Sequence, residues 1–196
     1  MERAALVRPF VEGRRLLDIG AAGGDVHPLL AEVAAASTVM DLDPKVLEKF
    51  AATGSRAVVG DAQRFDLGDT FDVVFAGELI EHLTDLGGFF DSVRRHLGPD
   101  GVLVLTTPNA FGFTNFAYRL GRGPAPVNDD HMMWFCPDTL RQLCERCGFE
   151  VIESSFVPHS TPGRLRGALA RTARAVLPAR LAHRTLFVVA RPVSDP

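Results

Sequence analysis

Apolar residues along this chain fall into two kinds of pattern, short continuous runs and stripes at helical spacing. Runs at 16–19, 39–42, 57–60, 71–76, 102–106 and 186–190, with the mixed stretch 149–155, predict seven strands. Between them, a leading helix is expected over 3–11 and another over 26–36. A third opens at Pro44, which suits a first helical turn, with Val46, Leu47 and Phe50 on one face. Stripes over 86–97 and 137–147 predict two more, ended by the Gly98-Pro99-Asp100-Gly101 turn and by Gly148. The run Val102-Leu103-Val104-Leu105-Thr106 lacks alternation, so its strand is expected at the centre of the sheet, buried on both faces. This rhythm predicts an α/β fold, a doubly wound sheet with helices on both faces.

Two segments break the rhythm. Residues 109–130 are rich in Gly, Pro, Asn and aromatics, and residues 158–183 read as a basic helix framed by prolines. Both follow strands, where α/β sheets build ligand sites, so both are candidate substrate lids as well as ordinary crossovers. The 196 residues and 46% hydrophobic composition fit one domain spanning 1–196. With 21 basic and 24 acidic side chains, the net charge of −3 excludes a whole-molecule basic field for nucleic acid. Arginines nonetheless concentrate late, at Arg164, Arg166, Arg171, Arg174, Arg180, Arg184 and Arg191. Cys136, Cys144 and Cys147 form neither a disulfide framework nor a complete zinc set. The absence of a secretion-type or bilayer-length apolar segment leads to the expectation of a cytoplasmic chain with no membrane partner.

Chemistry enters with Leu16-Leu17-Asp18-Ile19-Gly20-Ala21-Ala22-Gly23-Gly24, a strand running into a glycine turn, and with Asp41 at the end of the next apolar run. Glycines let backbone approach a ligand, and the distant carboxylate suits ribose hydroxyls, so a nucleoside cofactor pocket is expected. The pattern leaves dinucleotides and S-adenosylmethionine (SAM) both open. In Glu78-Leu79-Ile80-Glu81-His82, a helical continuation would put Glu78 beside Glu81 and His82. Two carboxylates and an imidazole there can hold a divalent ion, or can cap and solvate a first turn.

In this order, the Leu16–Gly24 block, Met40-Asp41-Leu42-Asp43-Pro44, Gly60-Asp61-Ala62 and the stretches 71–82, 97–109 and 131–148 resemble class I SAM-dependent methyltransferases. The resemblance covers most of the chain and implies a seven-stranded Rossmann-like fold, mostly parallel with a final antiparallel strand. It makes a nicotinamide-dependent oxidoreductase a distant second. It implies that Asp18 and Gly20 line the amino-acid end of SAM, that Asp41 accepts from the ribose hydroxyls, and that Asp61 meets the adenine beside the Ala62 backbone, with Ala21, Gly24 and Leu42 as further cofactor contacts. Asp43 is the nearby rival for the ribose.

The Glu78–His82 segment is similar to one in O-methyltransferases of ubiquinone synthesis and in small-RNA 3′-terminal 2′-O-methyltransferases. His131 stands where the latter carry a further histidine. The resemblance therefore implies a metal set of Glu78, Glu81, His82 and His131, with magnesium as first choice and manganese, zinc or iron as alternatives. His82 or His131 is the expected catalytic base. Asn109, Phe113, Tyr118 and Trp134 are the expected substrate contacts, because aromatic rings bury a planar acceptor and amides orient oxygens. The expected reaction is O-methylation of a small hydroxylated metabolite, such as a sugar, phenol or natural-product intermediate. Terminal 2′-O-methylation of RNA and a non-catalytic SAM-binding role are the alternatives, and homodimerisation stands as a further expectation.

Overall fold

The computed structural model describes residues 2–21, 25–113, 130–158 and 177–193. Seven strands form one sheet in the order β3-β2-β1-β4-β5-β7-β6. They are β1 (Arg15–Ile19), β2 (Ala36–Asp41), β3 (Arg56–Val59), β4 (Phe71–Gly77), β5 (Leu97–Pro108), β6 (Phe149–Phe156) and β7 (Thr185–Pro192). Pairing is parallel from β3 through β5, while β7 runs antiparallel to both β5 and β6. The expected mostly parallel, doubly wound sheet with a final antiparallel strand is what the chain forms.

The helices are α1 (Glu2–Val11), α2 (His27–Ala31), α3 (Pro44–Leu47), α4 (Leu86–His96), α5 (Pro137–Arg146) and α6 (Ala179–Ala182). One face of the sheet packs Leu16, Val73, Phe75, Val104 and Val189 against Val7 and Val11 of α1 and Leu30 of α2. The opposite face packs Leu17, Ile19, Val74, Leu103 and Leu105 against Phe89, Phe90 and Val93 of α4 and Leu140 of α5. The alternation of these residues along each strand is the two-residue period that lets both faces bury apolar surface.

Three sequence expectations shift. The helix expected over 26–36 ends at Ala31, and β2 begins at Ala36. Loop residues 13–14 capture its backbone: Gly13 N–H donates to Val33 O and Ala35 N–H to Arg14 O, which starts the parallel ladder despite three helix-favouring alanines. The helix opened by Pro44 is one α turn followed by a 3₁₀ stretch, Glu48–Thr53, ended by Gly54 at φ +73°. The middle position belongs to β4, with β5 beside it, and both are buried on their two faces. All three cysteines are free thiols. Among the described residues no helix is long and apolar enough to cross a membrane. Most of both candidate lids, with Gly24 and Tyr118, lies outside the described residues.

Candidate active site

The carboxyl ends of β1 to β5 bring the expected functional residues to one edge of the sheet. Beyond β1 the chain turns at Gly20, whose φ is +73° and whose N–H donates to Met40 O at 2.8 Å. A Cβ at Gly20 would lie 2.7 Å from Leu79 Cδ1. Gly20→Ala therefore adds left-handed strain of about 1–2 kcal/mol and displaces Leu79. A melting temperature lowered by about 2–8 °C in scanning calorimetry is the expected outcome. Ala21 packs on the small Val39, Leu47 and Phe50 cluster.

Asp41, at the end of β2, is partly exposed, and its Oδ1 accepts the Asp43 N–H at 3.0 Å. Asp43, its rival, is committed to capping α3, where it accepts the Lys45 N–H at 2.9 Å. Next to Asp41, Leu42 projects an apolar side chain that is 71% exposed. Asp61 is exposed and accepts the Gln63 N–H at 2.9 Å, while Ala62 packs on the core. The edge of β1–β3 thus presents two carboxylates and an uncovered leucine beside a left-handed glycine turn.

Asp18 is placed differently from expectation. It is buried and points to the α2 face, where its Oδ2 shares a proton with His27 Nδ1 at 2.9 Å. The other ring nitrogen of His27 lies 2.8 Å from Ser55 Oγ, which in turn meets Ser37 and Thr53 hydroxyls. Burial pushes the Asp18 carboxyl above its ordinary range, and the bond to His27 pulls against that. Asp18 braces the floor of the glycine turn. His27 was missed in the sequence; its one signal was an imidazole beside Pro28 at the start of an otherwise apolar helix.

Beyond β4 the backbone does not continue as the expected helix. Glu78 takes φ +54°, and only Ile80–His82 form a 3₁₀ turn. The three- and four-residue spacing that would have clustered Glu78 with Glu81 and His82 is therefore broken. Glu81 is 1% exposed; its Oε2 accepts the Thr107 hydroxyl at 2.9 Å, and its Oε1 is buried without a partner. Its backbone carbonyl accepts the N–H groups of Met132 and Met133 at 2.8 and 3.1 Å, strapping residues 130–133 onto this turn. His82 Nδ1 meets Asp130 O at 3.1 Å, which leaves Nε2 to face outward from that bond. The His131 ring stands edge-on to His82 at 4.6 Å, with its Nδ1 buried and unpartnered.

Ligand atoms of Glu81, His82 and His131 lie within 4.8 Å of one another, a spacing that can hold a metal ion. Glu78 is not in that group. Two orphaned buried acceptors in a carboxylate-imidazole cluster fit a divalent cation. Desolvation raises the Glu81 carboxyl from 4.5 to about 7, with the Glu78 charge adding to the rise. Burial and the neighbouring His82 push His131 below its ordinary value, which keeps it neutral and able to accept a proton or a metal.

The raised Glu81 value has a consequence for the metal-free protein. Its folded state binds the Glu81 proton more tightly than the unfolded chain does between pH 4.5 and about 7. Stability from this group is therefore present at acid pH and is lost as pH rises through about 7. Chemical denaturation of metal-free protein across that window is expected to show the decline, with Glu81→Gln flattening it.

A second residue escaped the sequence reading. Arg3, in the first turn of α1, reaches this edge, where its Nη2 lies 3.6 Å from Glu78 Oε1. Its charge also lowers the carboxyl values of Asp18 and Glu81, although neither of those is pulled below its ordinary range. Nothing in a short leading helix marks such a residue in advance.

Of the expected substrate contacts, Asn109 is fully buried: its amide donates to Arg180 O and His183 O at 2.7 and 2.8 Å, and its Oδ1 accepts the Phe111 N–H. It anchors the segment before β7 instead of facing an acceptor. Phe113 is 46% exposed, as is its neighbour Phe111 at 49%. Trp134 is half-buried with its ring edge-on to His131 at 6.1 Å. Met133 packs on the core, and Met132 is exposed.

A left-handed glycine turn, an acidic second strand and a final antiparallel strand define the class as Rossmann-like methyltransferases. Residues 2–154 match the Methyltransferase domain family, and the chain belongs to it, among the class I SAM-dependent methyltransferases. It is 32% identical over 150 residues to a probable S-adenosylmethionine-dependent methyltransferase of Mycolicibacterium smegmatis, covering 75% of this chain and 56% of that protein. It is also 32% identical over 148 residues to the ubiquinone biosynthesis O-methyltransferase of a Caulobacter species, covering 68% and 58%. The chain thus spans little more than half the length of these curated relatives. Two solved structures share the fold. A SAM-dependent methyltransferase from Clostridium acetobutylicum has a TM-score of 0.69 at 11% identity, covering 98% of this chain and 91% of that one. The glycopeptide N-methyltransferase MtfA, complexed with SAM, has a TM-score of 0.68 at 19% identity, covering 98% and 86%.

Proposed function

We propose that this chain transfers the methyl group of SAM to a hydroxyl of a small acceptor, assisted by a divalent ion held by Glu81, His82 and His131. The observation that carries the reading is the pair of buried, unpartnered acceptors, Glu81 Oε1 and His131 Nδ1, in one cluster with His82. The relatives named ubiquinone biosynthesis O-methyltransferases support an oxygen acceptor. Exposed Phe111 and Phe113, with Trp134 beside His131, support a planar or apolar one.

Asp41 offers two acceptor oxygens to a ribose diol, and Leu42 offers an apolar surface to a purine. Gly20 lets backbone approach the methionine end of the cofactor. A divalent ion bound here lowers the pKa of an acceptor hydroxyl and orients its oxygen. His131, held neutral, can take the hydroxyl proton where it is not a ligand, and the carbonyl of Asp130 fixes the His82 ring. Transfer is a direct displacement from the sulfonium, so the chain's main task is to place oxygen and methyl in line. One carboxylate with two imidazoles favours manganese, iron or zinc over magnesium, which was the first choice only for a two-carboxylate set. Manganese, which accepts both carboxylate and imidazole donors, is the ion chosen for the test.

The test is methyl transfer from labelled SAM to a panel of phenols, sugars and 3′-hydroxyl RNAs, with chelator and with added manganese. Labelled small-molecule ether, lost with chelator and restored by manganese, is the expected result. Turnover indifferent to rigorous metal removal would overturn the ion's role, and transfer confined to RNA would replace the acceptor.

A further inference from the structure

We propose that Gln63 is a positioning residue that joins the adenine side of the cofactor site to the turn carrying Glu81 and His82, so that the bound cofactor orders the acceptor side of this edge. The link needs neither the ion nor an identified acceptor, only the cofactor shared by the family. Gln63 stands two residues after Asp61, the carboxylate that the resemblance assigns to adenine, and its N–H donates to Asp61 Oδ1 at 2.9 Å. Its side-chain oxygen reaches the other way. Gln63 Oε1 accepts the Thr84 N–H at 2.9 Å, the Thr84 hydroxyl at 2.8 Å and the Asp85 N–H at 2.7 Å. Donors from two consecutive residues thus converge on one amide oxygen and use its full accepting capacity. Backbone closes the same joint from α4. A Cβ at Gly88 would lie 2.5 Å from Gln63 O, so the first turn of that helix rests against the Gln63 main chain.

The path from this joint to the acceptor side is short. Leu83, between the clamped residues and the Ile80–His82 turn, is buried in the core, so packing holds the segment there and Gln63 holds it at Thr84 and Asp85. Its other end is held where the Glu78 N–H donates to Thr106 O at 2.8 Å. The Glu81 carbonyl carries the strap of residues 130–133, and Trp134, the chain's single tryptophan, follows that strap with its ring edge-on to His131. Thr84 and Asp85 are exposed, so their N–H groups find water when the Gln63 oxygen is withdrawn, and these bonds serve placement more than stability. A ligand that fixes the Asp61–Gln63 turn therefore reduces the freedom of the 80–85 segment as well, and linkage makes the effect reciprocal.

Wild type, Gln63→Met, Gln63→Asn and Gln63→Glu would be titrated in chelator with S-adenosylhomocysteine, the cofactor without its methyl group, by calorimetry. Quenching of Trp134 fluorescence by acrylamide would be measured on each protein, free and saturated. Thermal melts would confirm folding, and Gln63→Asn, polar and one methylene shorter, serves where Gln63→Met does not fold. In wild type the bound cofactor should shield Trp134 from acrylamide. Gln63→Met and Gln63→Asn should bind about 5-fold or more weakly, the low end of coupling between linked sites, and should lose the shielding at saturation. Gln63→Glu keeps an oxygen for the Thr84 and Asp85 donors, so the shielding should return, whatever the like charge beside Asp61 does to affinity. Shielding that persists in Gln63→Met and Gln63→Asn would show direct contact with the cofactor and overturn the inference. Wild-type binding that leaves Trp134 unchanged would overturn it too, as would a Gln63→Glu protein that behaves like the other two. Absence of binding by wild type would overturn the link together with the cofactor site, and no outcome depends on the ion.

Discussion

Glu81→Gln is expected to lower ion-supported methyl transfer by about 100-fold or more, since even the partners that orient metal ligands are worth 10- to 100-fold. The replacement is nearly isosteric, and the amide can keep its place beside the Thr107 hydroxyl at 2.9 Å. What it loses is the negative charge, the one charge that the three-residue cluster contributes to a cation. SAM affinity should be unchanged, because Gly20, Asp41 and Leu42 lie at and just beyond the ends of β1 and β2 and not in this turn. The variant should also be at least as stable as the metal-free wild type above pH 7, because a neutral amide avoids the desolvated charge that raises the carboxyl to about 7. Loss of turnover with stability kept or gained separates a functional carboxylate from a structural one. A variant that unfolds, or that turns over normally with manganese, would contradict the assignment.

The largest expected effect on stability comes from His27→Ala. His27 is buried and joins Asp18 to Ser55, bridging β1 to the start of β3. Its removal leaves the Asp18 carboxyl in an apolar floor without its partner, which for a buried pair costs about 3–5 kcal/mol. For a domain of this length that corresponds to a melting temperature lower by roughly 6–20 °C. The ring also meets Phe50 edge-on at 4.9 Å, so part of the loss is packing. The Asp18→Asn/His27→Ala double variant should be less destabilised than the sum of the singles, because no stranded carboxyl remains. Additive losses in denaturant titrations would show that the two groups act independently.

Much of this molecule was legible as sequence because strands buried on both faces, such as β4, β5 and β7, leave continuous apolar runs, while the exposed β3 and the mixed β6 were marked by short Val- and Ile-containing stretches. The doubly wound topology followed from their alternation with helical stripes. Helix lengths were less legible: alanines 34–36 favour a helix in isolation, but their backbone is recruited into the sheet ladder at Arg15↔Ala36. The site divided in the same manner. Glu81, His82 and His131 converge as the resemblance implied, through backbone bonds from 132 and 133 to Glu81 that side-chain patterns do not encode. Glu78 is not gathered with them, because the three- and four-residue spacing needs a helix from residue 78, whereas the turn begins at Ile80 and is 3₁₀. Asn109 is turned inward because its amide satisfies carbonyls distant in sequence. Arg3 and His27 act through tertiary contacts alone, and no local pattern announces those.

The antiparallel insertion of β7 between β5 and β6 carries a consequence for how the chain is made. During synthesis β6 emerges well before its neighbour, yet its ladder partner is β7. Until residues 185–192 leave the ribosome, β6 has no mate and the flank of β5 lies open. The nascent chain therefore carries two unsatisfied strand edges at once, one of them on a run of Val and Leu, the exposure that invites aggregation. Completion of the sheet depends on a distant contact made late, so the last strand is where a slow folding step and a need for chaperone protection are expected to fall.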